Sequence, residues 1–91
     1  MRRYPIEILE VAYHNLQDIR DYIALDDPRM ADIVIRVIAS KIESQLGYFP
    51  LSGRHIVGTK RMLVETKFRY VVIYDFDGEL VTITRIKKYQ N

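Results

Sequence analysis

The spacing of apolar residues changes along the chain, and this change constrains the fold more than any other sequence feature. Over residues 10–46, apolar side chains recur every three or four positions, which is typical of amphipathic helices. From residue 62 onward they alternate with other residues or form short β-branched and aromatic runs, which is typical of strands. Helices followed by strands predict an α+β domain with the helices packed on one face of a sheet.

The two predicted helices form an antiparallel hairpin. They cover about residues 10–25 and 28–46, and only a short link separates them. In the Asp-Asp-Pro sequence at 26–28, either aspartate can end the first helix or cap the second, and proline suits the first helical position. Gly47 is expected in a left-handed cap after the second helix.

Strands are predicted on both sides of this hairpin in the sequence. The first lies within residues 2–9, and it should lie at an edge of the sheet or begin near Pro5, because proline cannot donate a ladder hydrogen bond. Three more follow residue 60, and Asp77-Gly78 is a turn pair that joins the last two. Because short connections require antiparallel neighbours, we expect a strand–helix–helix–three-strand domain with a mostly antiparallel sheet over residues 1–91.

Composition argues against several classes of protein. No stretch approaches the roughly 20 apolar residues of a membrane span, and the start of the chain lacks a signal-like apolar core, so we expect a soluble cytoplasmic protein. The chain has no cysteine, and His14 and His55 lie far apart in the sequence. We therefore expect no disulfide, no metal site and no cofactor.

Positive charge is concentrated in the second part of the chain. Residues 1–53 carry six basic and eight acidic side chains, a balance of −2, whereas residues 54–91 carry eight basic and four acidic ones, a balance of +4. Cations interleaved with tyrosines can contact phosphates and stack on bases, although a solvated rim that prevents edge aggregation is an alternative. The residues expected to bind a target are Arg54, Lys60, Arg61, Arg69, Arg85, Lys87, Lys88 and Tyr89.

Two of these arginines allow more than one interpretation. Arg61 is the first residue of a predicted strand and should share a face with Leu63. Its side chain can form a cross-strand ion pair with Glu79 or contact an anion, and the sequence leaves both roles open. Arg85 has the same parity as Ile83, so its stem should run toward the apolar side of the sheet. Pairing with an acid beneath the helices is favoured there over emergence into a cleft.

Several segments resemble the ParE branch of the RelE/ParE toxin superfamily. The first is the helix Ala12-x-x-x-Leu16-x-x-Ile19-x-x-Tyr22-Ile23, continued by Pro28-x-x-Ala31 and Ile35-x-x-Ile38. The later ones are Phe49-Pro50-Leu51-Ser52-Gly53-Arg54, Arg61-x-Leu63-Val64, Phe68-x-Tyr70-Val71-Val72-Ile73-Tyr74 and Ile83-Thr84-Arg85-Ile86. In this order the segments cover nearly the whole chain.

The resemblance implies the toxin half of a type II toxin–antitoxin pair. ParE-like toxins inhibit DNA gyrase, whereas RelE-like toxins cleave mRNA on the ribosome. For cleavage, Arg61 and Arg85 would stabilise charge on the reacting phosphate. The family often has a histidine after its last strand, but this chain has Lys88, and a lysine is a poor base at neutral pH. Gyrase inhibition is therefore favoured, with a ribosome-dependent endoribonuclease and an inactive homologue left open.

A cognate antitoxin is the implied partner, in a hetero-oligomer with the toxin. Such a partner is expected to lay a helix or an extended segment over the apolar groove of the helical hairpin and the basic end of the sheet. The apolar residues expected to contact it are Leu16, Ile19, Ile23, Ile35, Ile38 and Ile42.

Overall fold

Two helices lie on one face of a five-stranded mixed sheet in the computed structural model, which describes residues 2–90. This arrangement confirms the predicted α+β class. A π-helical turn continues the second helix. The elements are β1 (Ile6–Ile8), α1 (Glu10–Ala24), α2 (Pro28–Lys41), the π-helical turn Ile42–Leu46, β2 (Arg54–Val57), β3 (Lys60–Glu65), β4 (Tyr70–Phe76) and β5 (Val81–Lys88).

The sheet has one strand more than the sequence predicts. Its order is β1-β5-β4-β3-β2, with β1 parallel to β5 and all other pairs antiparallel. The additional strand, β2, lies in the glycine-containing stretch between α2 and β3. As expected from Pro5, β1 is an edge strand, and the Pro5 carbonyl accepts a hydrogen bond from the Val81 N–H at 3.0 Å.

The helix boundaries follow the local sequence signals, with one exception. Asp27 caps α2, because its Oδ1 accepts hydrogen bonds from the N–H groups of Arg29 and Met30, both at 3.1 Å. The left-handed conformation expected at Gly47 is wrong, since its φ is −65°. A small residue is required there for another reason: a Cβ would lie 2.5 Å from the Glu43 carbonyl oxygen.

The hydrophobic core lies between the helices and the inner face of the sheet, the face toward the helices. Each fully buried large aliphatic side chain stabilises the fold by about 1.5–3 kcal/mol relative to an exposed one. The largest fully buried side chains are those of Tyr74, Ile38, Leu46, Ile83, Val72 and Val81.

A β-bulge in β5 reverses the direction of its later side chains. The pairing of β4 with β5 shifts so that Tyr74 lies opposite Ile83 but Ile73 lies opposite Arg85, which leaves Thr84 as the extra residue. The Thr84 hydroxyl donates to the Ile73 carbonyl at 3.1 Å. After the bulge Ile86 is buried and Arg85 is exposed. The expectation that Arg85 points toward the apolar side is therefore wrong.

Candidate functional site

The outer face of the sheet, opposite the helices, carries a row of side chains that crosses four strands. Arg54 lies opposite Met62, Met62 opposite Ile73, and Ile73 opposite Arg85. Directly opposed residues point to the same face of a sheet, so the row has an arginine at each end and apolar side chains in the middle. Three inter-strand spacings separate the two arginine Cα atoms by about 14 Å.

Further cations lie on the same face. Lys87 lies opposite Val71, which in turn lies opposite Val64, and Lys60 lies opposite Asp75. The outer cations, defined as Arg54, Lys60, Arg85 and Lys87, are all exposed. None of them forms an ion pair with a carboxylate within residues 2–90. The outer face is thus a partly apolar surface with positive charge available to a partner.

Arg61 lies on the inner face and has a different role. It lies opposite Tyr74, and its Nη1 donates to the carbonyl oxygens of Leu51 at 3.1 Å and Gly53 at 2.8 Å. The alternative ion pair with Glu79 is wrong, because Glu79 binds Arg2 at 3.1 Å. Arg61 therefore holds the loop before β2 in place.

Tyr74 holds the same loop from within the core. Its hydroxyl donates to the Pro50 carbonyl at 2.7 Å and accepts from the Gly53 N–H at 3.0 Å. Burial raises the pKa of this hydroxyl, and the Gly53 hydrogen bond and the Arg61 charge oppose that shift. A Cβ at Gly53 would lie 2.8 Å from a ring carbon of Tyr74, so only glycine fits there. This clamp gives a physical reason for the Phe-Pro-x-Ser-Gly-Arg stretch.

The remaining predicted target-binding residues lie at the end of the sheet where β3 turns into β4. The Arg69 guanidinium lies 5.4 Å from the Tyr89 ring centre, and the Tyr89 N–H donates to the Arg69 carbonyl at 2.8 Å. Lys88 lies 4.6 Å from the Tyr70 ring centre, and its Nζ donates to the Phe68 carbonyl at 2.7 Å. These contacts hold the C-terminal segment against this end of the sheet.

Glu65 organises this end of the sheet, a role that the sequence interpretation missed. It is the buried charged side chain of the described core, with 3% of its surface exposed. Its carboxylate accepts hydrogen bonds from the N–H groups of Lys67 at 2.6 Å and Phe68 at 3.0 Å. Burial, and then the charge of Glu65, raise the pKa of Tyr70. The sequence does contain a signal for this role, because an acidic residue at the end of a strand can accept hydrogen bonds from the turn that follows.

A groove of about 630 Å³ lies between the helical hairpin and this end of the sheet. Of the six apolar residues expected to contact a partner, Ile19 and Ile23 line it. Tyr22, with 77% of its surface exposed, was not among the expected residues and also lines it. The full lining consists of Asp18, Ile19, Tyr22, Ile23, Met30, Val34, Phe68, Tyr70 and Lys88.

The other four expected contact residues lie elsewhere. Leu16 lines a separate cavity of about 320 Å³ beside β1, and Ile35 is half-buried on α2. Ile38 and Ile42 belong to the core, with 0% and 2% of their surfaces exposed, so they present almost no surface to a partner. An apolar helical stripe does not reveal which of its members lie at the centre and which at the border.

Two further properties concern the described chain as a whole. Within residues 2–90, no group of three histidine, aspartate or glutamate side chains is placed to hold a metal ion. No helix in the same range is long and apolar enough to span a membrane.

Comparisons with known proteins give matches to one family and to solved structures. The family described as the ParE toxin of the parDE type II toxin–antitoxin system matches residues 6–90. A structure of the chromosomal ParDE system from P. aeruginosa has a TM-score of 0.82 and 20% identity, covering 97% of this chain and 98% of the other. The RelBE2 toxin–antitoxin complex from Mycobacterium tuberculosis gives 0.72 and 18%, covering 100% and 97%. No match was found among curated proteins.

Proposed function

Because the chain belongs to the ParE toxin family of type II toxin–antitoxin systems, we propose that it inhibits DNA gyrase by binding to it and that a cognate antitoxin neutralises it. The observation that carries the proposal is the set of outer cations, which lie on an open sheet face without carboxylate partners in residues 2–90. Positive charge of this kind speeds association with an acidic surface and favours one orientation.

The positions of Arg61 and Arg85 support inhibition by binding over RNA cleavage. Arg61 lies on the inner face and donates to two backbone carbonyls, whereas Arg85 lies on the outer face. Two cations on opposite faces of a sheet do not converge on one reacting phosphate, which charge stabilisation requires. RNA cleavage also needs a group that carries a proton, and the Nε2 of His55 lies 3.0 Å from the Gly58 carbonyl oxygen, within its own turn. A nuclease would need another set of residues.

The groove between hairpin and sheet suits the antitoxin. Its lining is mainly apolar, and Lys88 provides a cation at its border. An amphipathic helix binds such a groove through residues spaced three or four apart, and an acidic residue of that helix can pair with the lysine. The two similar structures come from toxin–antitoxin systems, which supports a partner of this kind.

Gyrase supercoiling measured with purified components tests the target. Saturating toxin should abolish supercoiling, and added antitoxin should restore it. Unaffected supercoiling at saturating toxin would reject gyrase as the target. Transcript mapping after induction examines the alternative, because codon-phased cuts in mRNA would indicate a ribosome-dependent endoribonuclease.

A charge placed in the groove tests the antitoxin site. Tyr22→Glu should leave gyrase inhibition intact but weaken neutralisation by the antitoxin at least about tenfold, since it puts a carboxylate into an apolar contact. Tyr13→Glu is the matched control, because Tyr13 is also exposed on α1 but does not line the groove. Equal neutralisation of both variants would contradict this site.

A further inference from the structure

We propose that the outer face of the sheet recognises a protein segment that presents aliphatic side chains with acidic residues on both sides, and that it does not bind nucleic acid. This inference rests on the proposed function and specifies the chemistry of the target. Four observations on the described residues support it: an aliphatic centre, cations at both borders, a neighbouring row that contains two acids, and the burial of the tyrosines of the central strand β4.

The centre of the outer face is aliphatic. Met62, Val64, Val71 and Ile73 are neighbours in two adjacent rows of the sheet. Val71 is nearly buried, with 3% of its surface exposed, while the other three are half-buried. Both helices pack on the inner face, so neither of them covers this centre within residues 2–90. A partner that covers it would remove apolar surface from water, which favours association.

Cations border this aliphatic centre on two sides. Arg54 lies at one end of its row, and Arg85 and Lys87 lie on the strand at the other side. The borders are about 14 Å apart, enough for an α-helix with its side chains, which is about 10–12 Å across. The partner must supply the carboxylates, because none within residues 2–90 pairs with these cations.

The remaining features of this face disfavour nucleic acid. The neighbouring row of this face consists of Lys60, Asp75, Thr82 and Glu7, so a phosphate backbone that continues across both rows would meet two carboxylates. The row from Arg54 to Arg85, where the acids of a short protein segment would bind, contains no carboxylate.

Proteins that bind single strands without sequence preference stack bases on exposed aromatic rings. Tyr70 and Tyr74 instead belong to the core on the inner face, with 7% and 0% of their surfaces exposed. Tyr89 is exposed at the border of the outer face, beside Met62 and Lys87, and the Arg69 guanidinium lies 5.4 Å from its ring centre. The tyrosines of the central strand β4 therefore do not form a stacking surface, and the centre of the outer face is aliphatic.

Two outer-face variants and one matched control test the inference. The first variant is Arg85→Glu with Lys87→Glu, and the second is Ile73→Asn, which removes aliphatic surface without changing charge. The control is Arg29→Glu with Arg36→Glu, which makes the same charge change at exposed positions of α2. Circular dichroism melting establishes that each variant is folded, and Arg85→Gln replaces the first variant if it is not.

Three quantities are measured for each protein: growth arrest after induction, binding to purified gyrase, and binding to a mixed-sequence DNA duplex and a single-stranded RNA. Both outer-face variants should lose growth arrest and bind gyrase at least about tenfold more weakly, as expected for losing desolvated contacts. The control should stay within about twofold of the wild type. Any binding of the duplex or the RNA to the wild type should be unchanged in the outer-face variants.

The outcomes separate this inference from the proposed function. Full toxicity and unchanged gyrase binding of both outer-face variants would overturn the inference while leaving gyrase as the target. Loss of duplex or RNA binding in parallel with loss of toxicity would overturn it in favour of nucleic acid. If the wild type arrests growth without binding gyrase, only gyrase is rejected as the target. Growth arrest by the outer-face variants then tests the inference: loss of arrest supports it, and full arrest overturns it. A wild type that leaves growth unaffected overturns both.

Discussion

The two faces of the sheet are built from the same strands but differ in how their polar groups are satisfied. On the inner face, Tyr74 and Arg61 both bind backbone groups of the loop before β2, and Glu65 binds the turn after β3. On the outer face, Arg54 and Arg85 have no ion-pair partner within residues 2–90. The difference indicates that inner polar residues maintain the fold, while outer ones are available for binding.

The comparison yields opposite expectations for substitutions on the two faces. Changes to inner groups should lower the free energy of unfolding, because buried polar groups lose their partners. Changes to outer cations should leave unfolding nearly unaffected and weaken target binding. A substitution with the opposite effect would contradict this division of roles between the two faces.

The largest expected effect on stability is that of Gly53→Ala. The added Cβ would collide with the Tyr74 ring, which is fully buried and cannot move without disturbing the core. We expect a loss of about 3 kcal/mol or more, from overpacking and from disrupted hydrogen bonds. Urea unfolding measures it.

Gly58→Ala is the matched control for this substitution. Gly58 has a φ of +56°, but nothing lies within 4 Å of a Cβ there. Only the cost of the left-handed conformation remains, about 1 kcal/mol. Equal losses in the two variants would show that the contact between Gly53 and Tyr74 does not matter.

Tyr74→Phe should have the next largest effect. It keeps the ring in the core but leaves the Pro50 carbonyl and the Gly53 N–H without their hydrogen-bond partner. We expect a loss of about 1–3 kcal/mol in the free energy of unfolding. A change below about 0.3 kcal/mol would mean that water replaces the hydroxyl at no cost.

In the wild-type protein, the pH dependence of stability should show the contribution of the Tyr74 hydroxyl. The folded state raises the pKa of Tyr74 above its ordinary value of 10.0. The unfolded chain therefore loses this proton first, and the stabilisation present below pH 10 is lost as pH rises through the folded-state pKa. The free energy of unfolding should therefore fall as the pH rises above about 10, and less steeply in Tyr74→Phe. Parallel pH profiles for the two proteins would contradict the assignment.

Arg85→Gln should have the smallest effect on stability. The side chain is exposed and forms no ion pair within residues 2–90, so unfolding should change by less than about 0.5 kcal/mol. Growth arrest after induction should nevertheless weaken. A larger loss of stability with toxicity intact would assign Arg85 to the fold instead of to binding.

The sequence predicts the parts of this fold that depend on local signals. Periodicity predicts the two helices, and capping predicts the start of α2 at Asp27-Pro28. Backbone restriction predicts that β1, which follows Pro5, is an edge strand, and that Asp77-Gly78 forms a turn. The resemblance to ParE-like toxins is confirmed by the family match over residues 6–90. These features need no knowledge of which strands meet.

Features that depend on strand pairing could not be predicted in this way. The bulge at Thr84 turns Arg85 outward, and nothing in the alternation of Val81, Ile83 and Arg85 indicates where the register shifts. Arg61 finds its partners in carbonyls eight and ten residues away, which become available only once the loop has folded. The sequence therefore identifies the basic residues but does not assign them to faces.

Methyl-labelled toxin titrated with purified gyrase tests the division of the two faces most directly. Binding through the outer face should shift or broaden the NMR signals of Met62, Val64 and Ile73. The methyl signals of Ile38 and Ile83 in the core, and of Ile19 and Ile23 in the groove, should change little. Changes concentrated at Ile19 and Ile23, with the outer-face methyl groups unaffected, would contradict the account.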